Sequence, residues 1–414
     1  MRILHLVHQY LPDHVGGTEL YTKWLTDGLQ ANGHQVAIFA RHSTDGQSLT
    51  SRDDDGVTVW LAANGRFQPT NRFTSTFRNP SLHQAFNQVL DQFQPDIVHV
   101  EHLMGLPTAI LNELQRRHIP YVVTLWDFWW VCANAQLITN YSQEICDGPD
   151  KFFNCARCTL ARAEKPQLKV AEPPLAIPLA LRNRRLKDCL ANAAQLIAPA
   201  KFVKDWYVNH DITEEKITVV PPGLNYPTDL QTVENEEKRP FRVGYIGGLS
   251  WQKGVHTLVD AFVQLPDPGQ LWIAGDLDFD PAYVAQLKAK ANDNVTFLGK
   301  LDREAIWQML TQVDIIVVTS LWYETFCFVI SEAHAMGVPV IASDLGVLAE
   351  RVQNGQDGYL FPPGNSTALH KILAHLQTNP AQQASLRAHI PQIPTFTEHV
   401  ASITQVYKQQ LNDM

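Results

Sequence analysis

Two glutamates eight positions apart, Glu324 and Glu332, follow the β-branched run from Asp314 to Ser320 and carry the most specific chemical signal in the chain. A carboxylate at the exit of a strand faces the ligand end of a parallel sheet. The turn behind it delivers backbone N–H groups at a helix start, which suits a diphosphate. Thr325, Phe326 and Cys327 form that turn. Roughly two helical turns on, Glu332 can accept hydrogen bonds from vicinal hydroxyls such as those of a ribose, and Glu324 can do the same for a sugar.

A second phosphate signal lies upstream. The strand-like Val243 to Ile246 runs into Gly247 and Gly248, and Lys253-Gly254 stands at the next helix start. Glycine lets a backbone approach phosphate closely, and the lysine adds a full positive charge. A third loop, Leu11 to Glu19, joins the first strand to the first helix through Gly16 and Gly17. It lacks the G-x-G-x-x-G of a dinucleotide site.

Other chemistry-bearing residues stand at strand exits in the first half. Asp127 falls within the aromatic run Trp126 to Trp130, and His102 ends Val98-His99-Val100-Glu101-His102. The aromatic run suits either a stacking floor for a sugar or core packing. Cys132, Cys146, Cys155 and Cys158 follow as C-x13-C-x8-C-x2-C. The final C-x2-C is half of a tetrahedral zinc site and four thiolates complete one, while disulfides and free thiols stay open. Asp276-Leu-Asp278-Phe-Asp280 and Asp53-Asp54-Asp55 read as ordinary loops. Pro173 to Leu181, followed by Arg182, Arg184, Arg185 and Lys187, reads as a buried helix with a solvated end, with membrane contact as the alternative.

These residues need a scaffold of alternating strands and helices, and the chain supplies one. Its 414 residues, 45% hydrophobic, suffice for two domains. The net charge of -9 gives no general attraction to nucleic acid. The opening residues do not match a signal peptide, and no run reaches the ~18 to 20 apolar residues of a membrane span. The expectation is a cytoplasmic protein.

Strands are expected at Ile3 to Val7, Gln35 to Ala40, Ile97 to Val100 and Tyr121 to Leu125, with Ile197 and Val219-Val220 marking two more. Thr18 is expected to cap a helix that Gly33 ends. The charged segment 228–240 reads as a linker, after which six further strands alternate with helices such as Val255 to Gln264 and Arg303 to Gln312. Two doubly wound domains follow, 1–222 and 223–395, with a terminal helix in 396–414 crossing back to the first. Ligands are expected at the carboxyl ends of the strands, in a central cleft.

The stretch from Glu324 to Glu332 resembles the Glu-x7-Glu motif of the family-4 retaining glycosyltransferases, with Phe326 inside it and Ala333, Gly337 and Pro339-Val340 downstream. The resemblance extends to Gly247-Gly248-Leu249 with Lys253-Gly254, where the family has Gly-Arg-Leu and Lys-Gly, and to Gly16-Gly17-Thr18-Glu19, which is similar to its Gly-Gly-x-Glu loop. It implies the GT-B fold, two Rossmann-like domains, and transfer of a sugar from a UDP- or GDP-linked donor to a glycan or lipid-linked acceptor.

It further implies that no metal and no protein nucleophile are required for catalysis. Lys253 binds phosphate, Glu324 and Glu332 bind the donor, and the leaving phosphate oxygen takes the acceptor proton. Some relatives carry a similarly spaced cysteine set, consistent with a structural zinc. Peripheral contact with a membrane suits a lipid-linked acceptor. Three positions depart from the pattern: Cys327 replaces a glycine, Gly248 replaces an arginine, and Trp126 replaces a histidine while Asp127 remains. His102 is the histidine expected to stand in. The alternative function is a non-catalytic nucleotide-sugar-binding protein with the same fold.

Overall fold

The structure is a computed structural model and describes residues 1–44, 49–65, 69–227, 230, 239–266 and 269–412. The expected linker, 228–240, lies almost wholly outside the described residues. The chain forms two compact units, one of Met1–Pro222 with Phe396–Met414 and one of Gly223–Thr395.

The strands of the first unit are β1 (Arg2–Val7), β2 (Gln35–His42), β3 (Leu49–Asp54), β4 (Val57–Ala63), β5 (Ile97–Val100), β6 (Tyr121–Thr124), β7 (Gln195–Ala198) and β8 (Ile217–Val219). They make one sheet in the order β3-β4-β2-β1-β5-β6-β7-β8. Pairing is parallel except between β3 and β4. The central strands β1, β5 and β6 are almost wholly buried, so they read as continuous apolar runs rather than alternating ones.

Strand β3 and its hairpin partner were not among the expected strands, because Leu49–Asp54 is largely polar. Asp55 and Gly56 both take positive φ, the two-residue hairpin turn that matches strand twist. The backbone N–H of Gly56 donates to Asp53 Oδ1 at 3.0 Å. The acidic run therefore ends a strand and makes a turn. The first helix, Gly17–Ala31, starts one residue before the expected cap. Extended Gly16 is its N-cap, without a side-chain cap bond, and Thr18 lies inside the first turn.

The strands of the second unit are β9 (Arg242–Ile246), β10 (Gln270–Ala274), β11 (Val295–Gly299), β12 (Ile315–Val318), β13 (Val340–Ser343) and β14 (Gly358–Phe361). The sheet is parallel throughout, ordered β11-β10-β9-β12-β13-β14. Helices cover it, and the core includes Val243, Leu258, Leu271, Ile315, Ile341 and Leu373. After β10, Asp278 N–H donates to Asp276 Oδ1, and Asp280 caps the helix Pro281–Lys290 by accepting from Tyr283 N–H. That Asp-x-Asp run is loop and cap.

The helix Phe396–Asn412 belongs to the first unit. Its Tyr407 hydroxyl lies 2.6 Å from His99 Nδ1, and its His399 receives the Tyr21 hydroxyl at 2.8 Å. A Cβ at Gly28 would stand 2.6 Å from Val400 Cγ2, so the bare glycine lets the first and last helices touch.

The segment expected as a buried helix is half right. In Glu172–Ala191, Ala176, Leu179, Leu186 and Leu190 are buried, but Ile177 and Leu181 face solvent. The apolar run is continuous, and one side of the helix has nothing to pack on.

Candidate functional site

In both sheets the winding reverses at one point: between β1 and β5 in the first, between β9 and β12 in the second. Loops leaving such neighbours part in opposite directions and open a crevice at the strand ends, where ligands of open α/β sheets bind. Lys253, Glu324 and His102 follow strands that border these two points.

In the second unit, Lys253 follows β9 and Glu324 follows β12. Glu324 Oε1 accepts from Lys253 Nζ at 2.8 Å, from the Ser320 hydroxyl at 2.6 Å and from the Trp322 indole N–H at 2.9 Å. Burial pushes the Glu324 carboxyl up, but the Lys253 ammonium and these hydrogen bonds outweigh it and hold the group below its usual value. Lys253 is desolvated too, and Glu324 more than offsets this, keeping its pKa above the ordinary value. Its ammonium sits 5.3 Å over the Trp322 ring. The pair is charged, oriented and partly open.

Gly254 ties the two loops. It has φ +68°, and a Cβ there would stand 2.0 Å from the Thr319 carbonyl oxygen. The Thr319 hydroxyl donates to the Lys253 carbonyl at 2.8 Å, and Leu321 N–H donates to Gln252 O at 2.8 Å. Gly247 and Gly248 turn the chain after β9, and a Cβ at Gly248 would meet nothing within 4 Å.

Thr325, Phe326 and Cys327 lead into the helix Phe328–Ala335, whose first N–H groups lie beyond Cys327. Cys327 is its N-cap at φ 61°, ψ 77°, a left-handed conformation that favours glycine. Cys327 holds, with a side chain attached, a backbone shape that glycine adopts freely. Burial first, then the nearby Glu324 charge, pushes the Cys327 thiol up to about 12.

Arg351, twenty-four residues away, braces this turn. Its guanidinium donates to the Phe326 and Cys327 carbonyls at 2.7 and 3.0 Å and to the Ser331 hydroxyl at 2.7 Å, and it lies 4.0 Å over the Phe326 ring. Burial lowers its pKa to about 10. Glu332 is only 4% exposed and is paired with Arg303, which in turn lies 4.7 Å over Trp307.

Sequence reasoning missed Ser320, Trp322, Arg303 and Arg351. Ser320 and Trp322, within four residues of Glu324, were within reach of local reading. The Arg303–Trp307 spacing on one helix was also visible. Nothing local marks Arg351 as the brace of the turn.

In the first unit, His102 and Asp127 meet at the ends of β5 and β6. His102 Nε2 donates to Asp127 Oδ2 at 3.0 Å, and His102 Nδ1 accepts from Met104 N–H at 3.0 Å. Both ring nitrogens are thus engaged. Asp127 also accepts from Trp129 N–H at 2.8 Å, yet its side chain stays 30% exposed while that of His102 is 4% exposed. The carboxylate is reachable and the imidazole holds it. His8, at the end of β1, lies 4.6 Å from the His102 ring and 3.7 Å from Glu19 Oε1, beside the Gly16-Gly17 helix start.

Trp126 donates its indole N–H to Glu101 Oε2 at 2.9 Å. The fully buried Glu101 also accepts from His5 Nδ1 at 3.0 Å, with His99 Nδ1 at 3.4 Å. Burial drives His99 down to about 4, and it stays neutral. His5, His99 and Glu101 are the group of potential ligand atoms within 4.8 Å of one another among the described residues. Hydrogen bonds account for their closeness.

Cys132, Cys146, Cys155 and Cys158 are free thiols, all partly buried. Burial and then the neighbouring thiols raise Cys155 to about 12. Asn140 N–H donates to Cys158 Sγ at 3.3 Å and the Asn154 amide to Cys146 Sγ at 3.7 Å. Four soft donors with amide N–H groups aimed at sulfur fit a structural zinc. No three of the sulfurs lie within 4.8 Å of one another, so they must draw together to close on an ion at ~2.3 Å.

Comparison with known proteins agrees with this architecture. The family profile described as glycosyl transferase 4-like domain matches residues 16–223, and that described as glycosyl transferases group 1 matches residues 228–392. Glycogen synthase of Mycobacterium tuberculosis is 24% identical over 407 residues, covering 92% of this chain and 87% of that protein. D-inositol 3-phosphate glycosyltransferase of Jonesia denitrificans is 23% identical over 423 residues, covering 95% and 91%.

Among solved structures, sucrose-phosphate synthase from Thermosynechococcus elongatus superposes with a TM-score of 0.71 at 20% identity, covering 100% of this chain and 99% of that one. Anabaena HepE, solved with UDP and glucose, gives 0.66 at 19% identity, covering 99% of each. With profiles matched in both halves and two doubly wound units of the GT-B fold, the chain belongs to the glycosyl transferase 4-like family and is a glycosyltransferase.

Proposed function

We propose that this enzyme moves a sugar, with retention of anomeric configuration, from a UDP- or GDP-linked donor to a hydroxyl of a glycan or lipid-linked acceptor. The observation that carries this reading is the Lys253–Glu324 pair at the reversal point of the second sheet, directly before a helix N-terminus. The HepE structure with UDP and glucose supports a nucleotide-sugar donor.

In this reading the donor diphosphate takes hydrogen bonds from the N–H groups at the start of Phe328–Ala335 and from Lys253, whose ammonium has donors beyond the one given to Glu324. Glu324 accepts from the sugar hydroxyls and Glu332, fixed by Arg303, from the ribose. As the bond between anomeric carbon and phosphate oxygen breaks, negative charge gathers on the diphosphate, and preoriented donors offset it without a metal. The acceptor oxygen bonds to the anomeric carbon on the same face, and its proton passes to the leaving phosphate oxygen. Asp127 is the first-unit residue placed to bind a hydroxyl, and His102 acts through it as a positioning residue. Gly16 and Gly17 offer backbone to the donor phosphate or the acceptor.

The test is incubation with UDP-, GDP- and ADP-sugars, with and without glycan and polyprenyl-phosphate acceptors. Nucleotide release and the anomeric coupling of the product by NMR are the readouts. The reading expects acceptor-dependent release with one or a few donors and a product of the donor's own configuration. An inverted product would contradict the mechanism. Binding of a donor without turnover on any acceptor would favour a non-catalytic binding protein.

A further inference from the structure

Of nine large hydrophobic side chains exposed among the described residues, four fall in one short segment: Leu168 (42% exposed), Val170 (86%), Ile177 (64%) and Leu181 (57%). The segment is the short turn Lys169–Ala171 and the first half of the helix Glu172–Ala191. Val170, Pro173-Pro174, Ile177 and Leu181 recur every three or four residues, so they form one stripe, and Arg184 continues it. The opposite side packs inward through Ala176, Leu179 and Leu186. This helix therefore has an anchored face and a free apolar one.

Charge says what that face meets. Between residues 162 and 188 there are seven Lys and Arg against three carboxylates, in a chain of net charge -9. Lys165, Lys169 and Arg184 are exposed and carry no ion pair among the described residues. Of the acids, Glu172 is engaged by Arg157, and exposed Glu164 and Asp188 flank the stripe. A second copy of the chain would bring Lys165, Lys169 and Arg184 against the same cations, because a two-fold interface sets a patch against itself. Pro173 and Pro174 also leave the first helical turn without two of its usual unpaired N–H donors, lowering the cost of entering an apolar phase.

We propose that the stripe Leu168, Val170, Ile177 and Leu181, rimmed by Lys165, Lys169 and Arg184, is a docking surface for an anionic lipid bilayer. The apolar side chains enter the boundary between headgroups and acyl chains, and the cations remain among the headgroup phosphates. The enzyme then lies on the surface by one face of its first unit.

The experiment is co-sedimentation of the full chain with vesicles of phosphatidylcholine mixed with phosphatidylglycerol, and with vesicles of phosphatidylcholine alone, at low and high salt. The expected result is binding to the anionic vesicles that weakens with salt. The double variant Ile177→Asp/Leu181→Asp should lose binding by about ten-fold or more. The variant Lys169→Glu/Arg184→Glu should lose about five-fold for each cation removed, on anionic vesicles only. All four positions are exposed, so unchanged circular dichroism and melting identify variants that remain folded. The proposal is overturned if wild type ignores anionic vesicles, or if folded Ile177→Asp/Leu181→Asp binds them equally well. Concentration-dependent self-association abolished by that variant, without vesicle binding, would assign the face to a second copy instead.

Discussion

At the residue scale, each of the three positions that depart from the resembled motif has a visible geometry. Trp126 is held by Glu101, Gly248 faces open space, and Cys327 occupies a left-handed backbone position. The last gives a sharp prediction. Cys327→Gly suits the backbone, whereas a β-branched residue at φ 61° meets the following carbonyl, a cost of about 1–2 kcal/mol. Thermal unfolding should place Cys327→Val well below wild type and Cys327→Gly near or above it. Equal melting of the two variants would mean that the turn does not hold this conformation. Glu324, Lys253 and the glycine loops were legible because their chemistry depends on near neighbours along the chain. Arg351 was not, because an arginine bracing two carbonyls from 24 residues away leaves no local pattern.

At the element scale, the long parallel strands were legible as apolar runs, and the largely polar β3 was not. The helix Glu172–Ala191 was misjudged because composition cannot say which side finds a partner. The insertion around Cys132 to Cys158 is the least regular element. Apart from the helix Phe153–Arg162, it is pinned by the isolated bridge between Ile138 and Ile145 and by hydrogen bonds to sulfur. We propose that a zinc ion held by Cys132, Cys146, Cys155 and Cys158 orders it. Mass-spectrometric metal content of protein purified without chelator should give about one zinc per chain. Cys155→Ser should lower that content and make 132–158 susceptible to proteolysis. Absence of zinc, with thiol titration finding Cys132, Cys146, Cys155 and Cys158 reactive in the folded state, would remove the metal from the account.

At the scale of the whole molecule, each unit is wound so that its reversal point carries a different kind of group. The first presents His102, which holds the carboxylate of Asp127 from the next strand in an aromatic surround, and the second presents a cation and a helix start. The terminal helix Phe396–Asn412 is joined to the first sheet through Tyr407 and His99. That division of labour rests on the second unit supplying the charged side-chain contacts to the nucleotide-sugar. Calorimetric titration with the donor identified by turnover tests it most directly. Lys253→Ala should weaken donor binding by about ten-fold or more, through loss of a charge-assisted phosphate contact. Glu332→Ala should weaken the free nucleoside diphosphate and the nucleotide-sugar alike, and Asp127→Ala should leave donor affinity within about two-fold while abolishing transfer. Donor affinity unchanged in both Lys253→Ala and Glu332→Ala would contradict the account.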